Sequence, residues 1–510
     1  AHRGRNSPKG TNRREKPCYR TLVIKLTCKM MKKIQLIIWS ILVLCVGACT
    51  EDKGDYDYIP LNDLVVQGIE KDYTVEQFSS LKIPVTITVK DGFSEDRYEY
   101  LWYIWRVNNT ADPDTLSFKK DLDVEVESVT GEYSMRYIVT DKETGVFYST
   151  RTDLTIVNSY SKGLMALSEV EGNANVTFIN VVNTVTEDAY EKVNGEIAGR
   201  SPRGIFYTGE GEFTKGLVVI STGDGSKAIE PTDFSYMMDF SEMFYFAPDP
   251  CVMECLCKNM YGFDEYVIIN GRVYNRYLSF VEDMFVKYDP QVKGDYEAAP
   301  FSIYESNDPF FYDQKGKRFI YNNYGAMISV EPASGVFNPA EMESTMVYGA
   351  AFEDNVRAVM EDADGHRFVI AAQKRVEYDD ESYDSYIRVI PIRKVDLNQA
   401  GIAGATCFAV SSKDVDFLYY GYQDKVVCVS TVTGNVLATY DGFEDGCTID
   451  YIEFDRSENP DRLYVGVSDG SGKAKSGSIY YLKMNSNGSL EEENHFSNVC
   501  GKVVDFEYKK

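Results

Sequence analysis

Short runs in which apolar and polar residues alternate one by one recur along most of the chain. KIPVTITV (82–89) alternates cleanly, and YEYLWYIWRV (98–107) puts Tyr100, Trp102 and Ile104 on one face and Tyr103, Trp105 and Val107 on the other. GEYSMRYIVTDKETGVFYSTRTDLTIV (131–157) alternates through Tyr133, Met135, Tyr137 and Val139, turns at 141–145 and returns through Val146 and Tyr148 to Leu154 and Ile156. A period of two marks strands with one face in a core. About seven short strands across 61–158, centred on a Trp-bearing strand, predict a β-sandwich. At least one of Trp102 and Trp105 is expected in the core, and either one has the shape of a ligand platform.

From about residue 161 the same grammar repeats as strand, polar turn, strand. GLMALSEVEGNANVTFIN (163–180), KRFIYNNYGAMISVEPASGVFN (317–338), DFLYYGYQDKVVCVSTVTGNVLATY (416–440) and RLYVGVSDGSGKAKSGSIYYLKMNSNGSL (462–490) are its clearest instances. Hairpins of this kind are marginal alone and must stack on neighbours. At roughly 40–50 residues per unit, 159–510 holds about seven, the pattern of a β-propeller. The last segment, GKVVDFEYK (501–509), is expected to pair with early strands of this domain and close the ring. Two stacked sandwiches are the alternative architecture. The fold class is therefore all-β, a PKD- or Ig-like sandwich followed by a propeller-like domain, with no amphipathic helix longer than three turns expected.

One stretch breaks the pattern. Lys32 and Lys33 precede an apolar run from Ile34 to Ala48, which stops at Cys49 and gives way to Glu51, Asp52, Asp55 and Asp57. Fifteen helical residues reach only about 22 Å, short of a ~30 Å hydrocarbon core, so the run reads as a secretory signal rather than a membrane span. Val46-Gly47-Ala48-Cys49 resembles the lipobox of bacterial lipoproteins, which implies cleavage before Cys49 and acylation of that residue. Several acyl chains on one residue make a durable anchor, at ~0.8 kcal/mol per buried methylene. The acidic residues after Cys49 resemble the export signal of Bacteroidota surface lipoproteins, and they also make a solvated tether over 49–60. The signal peptide is assigned to 31–48. Residues 1–30, basic and unpatterned, are expected to be a misassigned upstream segment.

CTEDKGDYDY, the YxW strand and the GEY…VTDKETGVFY…LTIV ending together resemble the PKD-like lipoproteins of Bacteroidota. The usual WDFGDG-like segment after the Trp strand is absent, so the likeness is to the divergent members. It covers the leader and first domain well and the remainder by general layout. The resemblance implies an outer-membrane lipoprotein facing the cell exterior, beside a SusC/SusD-type nutrient-uptake system, with a glycan or peptide as ligand and a transporter complex as partner.

Composition narrows the chemistry. The 510 residues carry a formal charge of −26; residues 1–48 hold eleven Lys or Arg and one acid, so the remainder stands at about −36. That charge repels phosphate backbones and excludes nucleic acid as a partner. After Cys49 the cysteines at 251, 255, 257, 407, 428, 447 and 500 are odd in number and irregular in spacing, so no disulfide framework is implied. Cys251, Cys255 and Cys257 lack the paired spacing and fourth ligand of a structural zinc site and read as buried strand thiols. Only His366 and His495 lie beyond the leader, neither in a nucleophile motif. STGDGSK (221–227) and SDGSGKAKSG (468–477) lack phosphate-loop spacing and read as hairpin turns. EDADG (361–365) offers oxygen ligands but not a twelve-residue calcium loop. YDDESYDSY (378–386) is a hairpin tip or a loop facing a sugar or a cation.

No catalytic residue, metal ligand or cofactor follows from these motifs, and no ligand-contacting residue is named; Cys49 is the assigned site, for lipidation. The leading expectation is a non-enzymatic binding or accessory module. The alternatives are a carboxylate-dependent glycoside hydrolase, requiring two acids to converge in the propeller channel beside Tyr, and a purely structural scaffold.

Overall fold

A computed structural model describes residues 64–510 except 78, 91, 108, 129, 159, 209–215, 258–263, 278–285, 305–308, 379–384 and 400. The segments read as a signal peptide and an acidic tether, and Cys49, lie outside the described residues, as does the centre of the 378–386 stretch. Residues 64–510 group into one compact unit, and no described helix is long and apolar enough to cross a membrane.

The first hundred of these residues form a two-layered β-structure. One layer is a five-stranded sheet ordered Asp72–Glu76, Phe147–Val157, Gly131–Asp141, Tyr98–Arg106 and Asn109–Ser117, whose first two strands run parallel. The other consists of two short ladders, Leu64–Gln67 with Thr86–Val89 and Ser80–Ile83 with Leu122–Glu125. The run at 82–89 is thus two strands rather than one. Pro84 has no N–H to give a ladder and divides them. Trp102, Ile104, Met135, Tyr137, Ile83 and Leu122 share the core between the layers. Trp102 is fully buried and its indole N–H donates to the Lys119 carbonyl at 3.1 Å. Trp105 lies on the opposite face with the Arg151 guanidinium 5.6 Å from its ring. This places one tryptophan in the core and leaves the other beside a cation.

Seven antiparallel sheets follow in chain order. Sheet I joins Val185–Thr186, Asn173–Asn180, Gly163–Val170 and the last strand of the chain, Lys502–Lys509; sheet II runs from Pro202–Tyr207 to Tyr236–Asp239, and sheet III from Met253–Cys257 to Arg272–Tyr277. Sheet IV runs from Phe310–Asp313 to Ala326–Ser329, and sheet V from Thr345–Phe352 to Ser385–Leu397. Sheets VI and VII run from Phe408–Val410 to Val436–Tyr440 and from Thr448–Phe454 to Leu490–Cys500. Each is open, as propeller blades are. The expected pairing of 501–509 is present: Lys502–Lys509 lies antiparallel to Gly163–Val170, with Lys509 opposite Gly163.

The packing between sheets explains why their strands are apolar on both faces. Met165, Leu167, Val218 and Ile220 share a cluster between sheets I and II, whereas Val219, Ala228, Val267 and Ile269 fill the one between II and III. Clusters continue through III, IV and V, then V with VI, and VI with VII. Tyr464, Ile479, Leu164, Ala166 and Phe506 then join VII back to I. The arrangement is propeller-like. Hairpin turns carry the local chemistry such turns need: Glu171 and Gly172, both at positive φ (51° and 83°), make the two-residue turn within sheet I. The described α-helix is the short Ala189–Asn194 segment.

Candidate functional site

The first strands of sheets II, III, V, VI and VII, the closing strand of sheet I and the segment leading into sheet IV line a single cavity of about 730 Å³. Alternation along these strands sorts the side chains. In Thr448–Phe454, Ile452 and Phe454 are buried in the cluster with sheet VI, while Tyr451 and Glu453, which alternate with them, are only half-buried, and all four border the cavity. Asp505 and Glu507 do the same on the closing strand.

The lining carries five acids, Glu254, Glu453, Asp455, Asp505 and Glu507, against Arg203, Arg456 and Lys510. Asp505 Oδ2 accepts the Ile205 N–H at 2.8 Å and Oδ1 accepts the Phe506 N–H at 3.0 Å, while the Tyr451 hydroxyl bonds to the same carboxyl. Burial, and then the neighbouring Glu507 charge, push Asp505 up to about 7 against these hydrogen bonds. Glu254 is likewise raised by burial although its Oε2 accepts the Gly271 N–H at 2.9 Å. Asp455 behaves oppositely. Burial would raise it, but hydrogen bonds from Ser457, the Glu458 N–H and the Tyr464 hydroxyl (2.9 Å) hold it below the usual carboxylate range. Tyr348 accepts the Val410 N–H at 3.1 Å, bonds to Arg456, and is kept a phenol by burial.

Close approach shapes one wall. A Cβ on Gly204 would sit 2.5 Å from Phe206 Cζ and 3.2 Å from Asp505 Oδ2, so a side chain there would intrude between sheets I and II. Phe206, Phe301 and Phe408 add aromatic surface. Aromatic faces with phenols, carboxylates and guanidinium groups suit a ligand that has apolar faces and many hydrogen-bonding groups.

Other residues singled out in the sequence fall elsewhere. Cys255 and Cys257 are buried on the first strand of sheet III, their sulfurs 3.8 Å apart. The bond to Cys257, and then burial, keep Cys255 protonated well above its usual range; it touches the cavity, Cys257 does not. Cys251, Cys407, Cys428, Cys447 and Cys500 are buried and unpaired. Among the described residues, the metal-capable group of three or more is Asp362, Asp364 and His366. Asp362 there accepts the backbone N–H groups of Asp364 and His366 at 3.0 and 2.8 Å, which closes an exposed turn. His495 stacks on Tyr480, 5.2 Å between rings, with its Nδ1 2.8 Å from Glu492. Neither histidine lines the cavity. Residues 221–227 and 468–477 are hairpin turns. Tyr348, Tyr451, Glu453 and Asp505 were not singled out in the sequence. They come from three strands far apart in the sequence and share no local motif.

Residues 49–202 match the PKD-like family. That stretch runs past the last strand of the sandwich, at Val157, into sheet II. No curated protein matches the chain. Among solved structures, a quinoprotein alcohol dehydrogenase-like protein from Bacteroides thetaiotaomicron is 12% identical with a TM-score of 0.38, over 88% of this chain and 99% of that one. Hsv2 from Kluyveromyces marxianus is 8% identical with a TM-score of 0.35, over 71% and 95%. PorZ, a bacterial surface component of the type-IX secretion system of Porphyromonas gingivalis, is 10% identical with a TM-score of 0.24, over 71% and 57%.

Proposed function

We propose that the chain is a Bacteroidota cell-surface lipoprotein, anchored in the outer membrane through acylated Cys49. In this reading it serves as a non-enzymatic binding or accessory component of a SusC/SusD-type uptake system and seats a glycan or peptide at the centre of a seven-bladed propeller. The observation that carries the binding role is the cavity lined by strands of six sheets and by the segment leading into sheet IV. Its 730 Å³ lies within the usual range for small-molecule sites, about 300–1,000 Å³. Its acid excess favours neutral or cationic groups over anions. The lipoprotein assignment rests on the seam at Cys49.

A mild-detergent pull-down of the tagged protein from outer membranes, read by mass spectrometry, tests the assembly. Recovery of a TonB-dependent transporter with its SusD-like lid is the expected result; recovery of the protein alone contradicts an uptake-system role. Cys49→Ala is expected to release the chain from the membrane fraction, and a variant that stays lipid-anchored would refute the seam.

One observation favours the second reading, a glycoside hydrolase. Asp505 is held near 7 in a cavity with other carboxylates, as a general acid must be. Against it, backbone N–H groups and the Tyr451 hydroxyl already occupy both Asp505 oxygens. Turnover of aryl glycosides that disappears in Asp505→Asn would favour the hydrolase; no turnover favours the binder.

A further inference from the structure

The wall of the central cavity is divided by chemistry. Phe301 from the segment before sheet IV, Tyr348 from the first strand of sheet V and Phe408 from that of sheet VI form a continuous run of rings, with centroids 6.1 Å and 6.0 Å apart. Phe301 and Tyr348 are half-buried, and Phe408 also meets the Arg367 guanidinium, 5.7 Å from its ring and outside the lining. The next two sheets in the ring supply acids instead. Glu453 and Asp455 from sheet VII, with Asp505 and Glu507 from the closing strand of sheet I, stand against Arg456 and Lys510. Arg203 and Glu254, one each from sheets II and III, balance in charge.

The aromatic and acidic regions meet at Tyr348, Tyr451 and Glu453. Tyr451 and Glu453 fall on one face of their strand. Burial is the leading cause that raises the Tyr348 and Tyr451 phenols, and the Glu453 charge adds to both, so this carboxylate stands beside two rings. Arg456 bonds to Tyr348 and lies 5.6 Å from the Phe352 ring, which is not in the lining. An aromatic face attracts a cation through its quadrupole, more strongly where water is excluded. A surplus of carboxylates in a recess attracts the same charge. A wholly apolar ligand would strip water from the acids without replacing it, and an anion would be repelled. A neutral glycan has no cation to offer, whereas a peptide with Lys or Arg does. Resting on the reading of this cavity as a ligand site, we propose that it selects a peptide by a basic side chain, whose charge lies against the Tyr348 ring and beside Glu453.

The test immobilises the full chain in detergent at about 0.15 M salt, which screens its exposed charges. It is offered end-blocked hexapeptide libraries whose flanks are randomised over uncharged residues and whose one fixed position is Lys, Gln or Glu, with neutral oligosaccharides in parallel. Mass spectrometry of the retained fraction should show the Lys library enriched about tenfold or more over the other two. Glu453→Gln removes the charge and keeps the shape, and Phe301→Leu removes one ring. Each is expected to cut the Lys preference several-fold, in chains whose unfolding midpoint shows them folded. Equal retention of the three libraries, or retention of a neutral oligosaccharide in their place, would overturn the cation specificity and leave the ligand site standing. A Lys preference unchanged in both variants would assign the cation to another surface and overturn it too. Retention of nothing would overturn the binding reading as well.

Discussion

Two carboxyl groups hold the edges of the strand that closes the ring. Asp450, on the first strand of sheet VII, accepts the Val503 N–H at 3.2 Å, and Asp505 reaches from the closing strand to the Ile205 N–H of sheet II. Burial is the leading cause that raises both, Asp450 to about 6 and Asp505 to about 7. The folded chain therefore keeps protons that the unfolded chain releases in the ordinary carboxyl range. Their linked stability is full below about pH 4 and declines as pH rises through 6 and 7. Urea midpoints of the native chain should fall across this window, and Asp450→Asn with Asp505→Asn should flatten the fall. Asp141 works in the opposite sense. Its bond from Arg97, at 2.6 Å, is the main cause holding it near 2, so the stability it lends is lost as pH falls from about 4 through 2. Arg97→Ala should move the acid-unfolding midpoint to higher pH. Gly204→Ala should cost about 1–3 kcal/mol by driving a methyl group against Phe206 and Asp505.

At the scale of elements, legibility followed the packing. Hairpins at 163–180, 317–323 with 326–329, 416–440 and 462–484 were readable because turn residues bracket them. The first strand of sheet V, TMVYGAAF, was not singled out, and that of sheet III, MECLC, was read only through its buried thiols. Buried on both faces against neighbouring sheets, such strands lose the alternation that marks a half-exposed one. The sandwich was readable through its Trp strand, whose two faces alternation separated; which of them is inner, Tyr100, Trp102 and Ile104, came only with the structure. The division of its second layer at Pro84 was missed, because alternation alone does not count ladder hydrogen bonds. The closing strand was legible from its position and pattern. Its removal by truncation after Gly501 would strip cover from Leu164, Ala166 and Tyr464. That truncation should abolish the cooperative unfolding transition of the ring by calorimetry, whereas a retained transition would show that the strand is dispensable.

The cavity belongs to the whole molecule and was invisible in sequence for that reason. Tyr348, Tyr451 and Asp505 are separated by about a hundred residues and by fifty, and only a ring brings them together. What the sequence did carry was the chemical background, abundant Tyr, scarce His and an excess of acid, which the cavity wall repeats. Tyr348→Phe should weaken ligand binding several-fold and cost about 1 kcal/mol of stability, since it leaves the Val410 N–H without its acceptor. The central claim is that the cavity lined by six of the sheets and the segment leading into sheet IV is a ligand site. Diffraction from crystals of the chain soaked in mixed neutral oligosaccharides and short peptides tests it most directly. The account predicts ordered ligand density in the central cavity, in contact with Tyr348 and Tyr451. Density confined to other surfaces, or solvent alone in the cavity at saturating ligand, would contradict it.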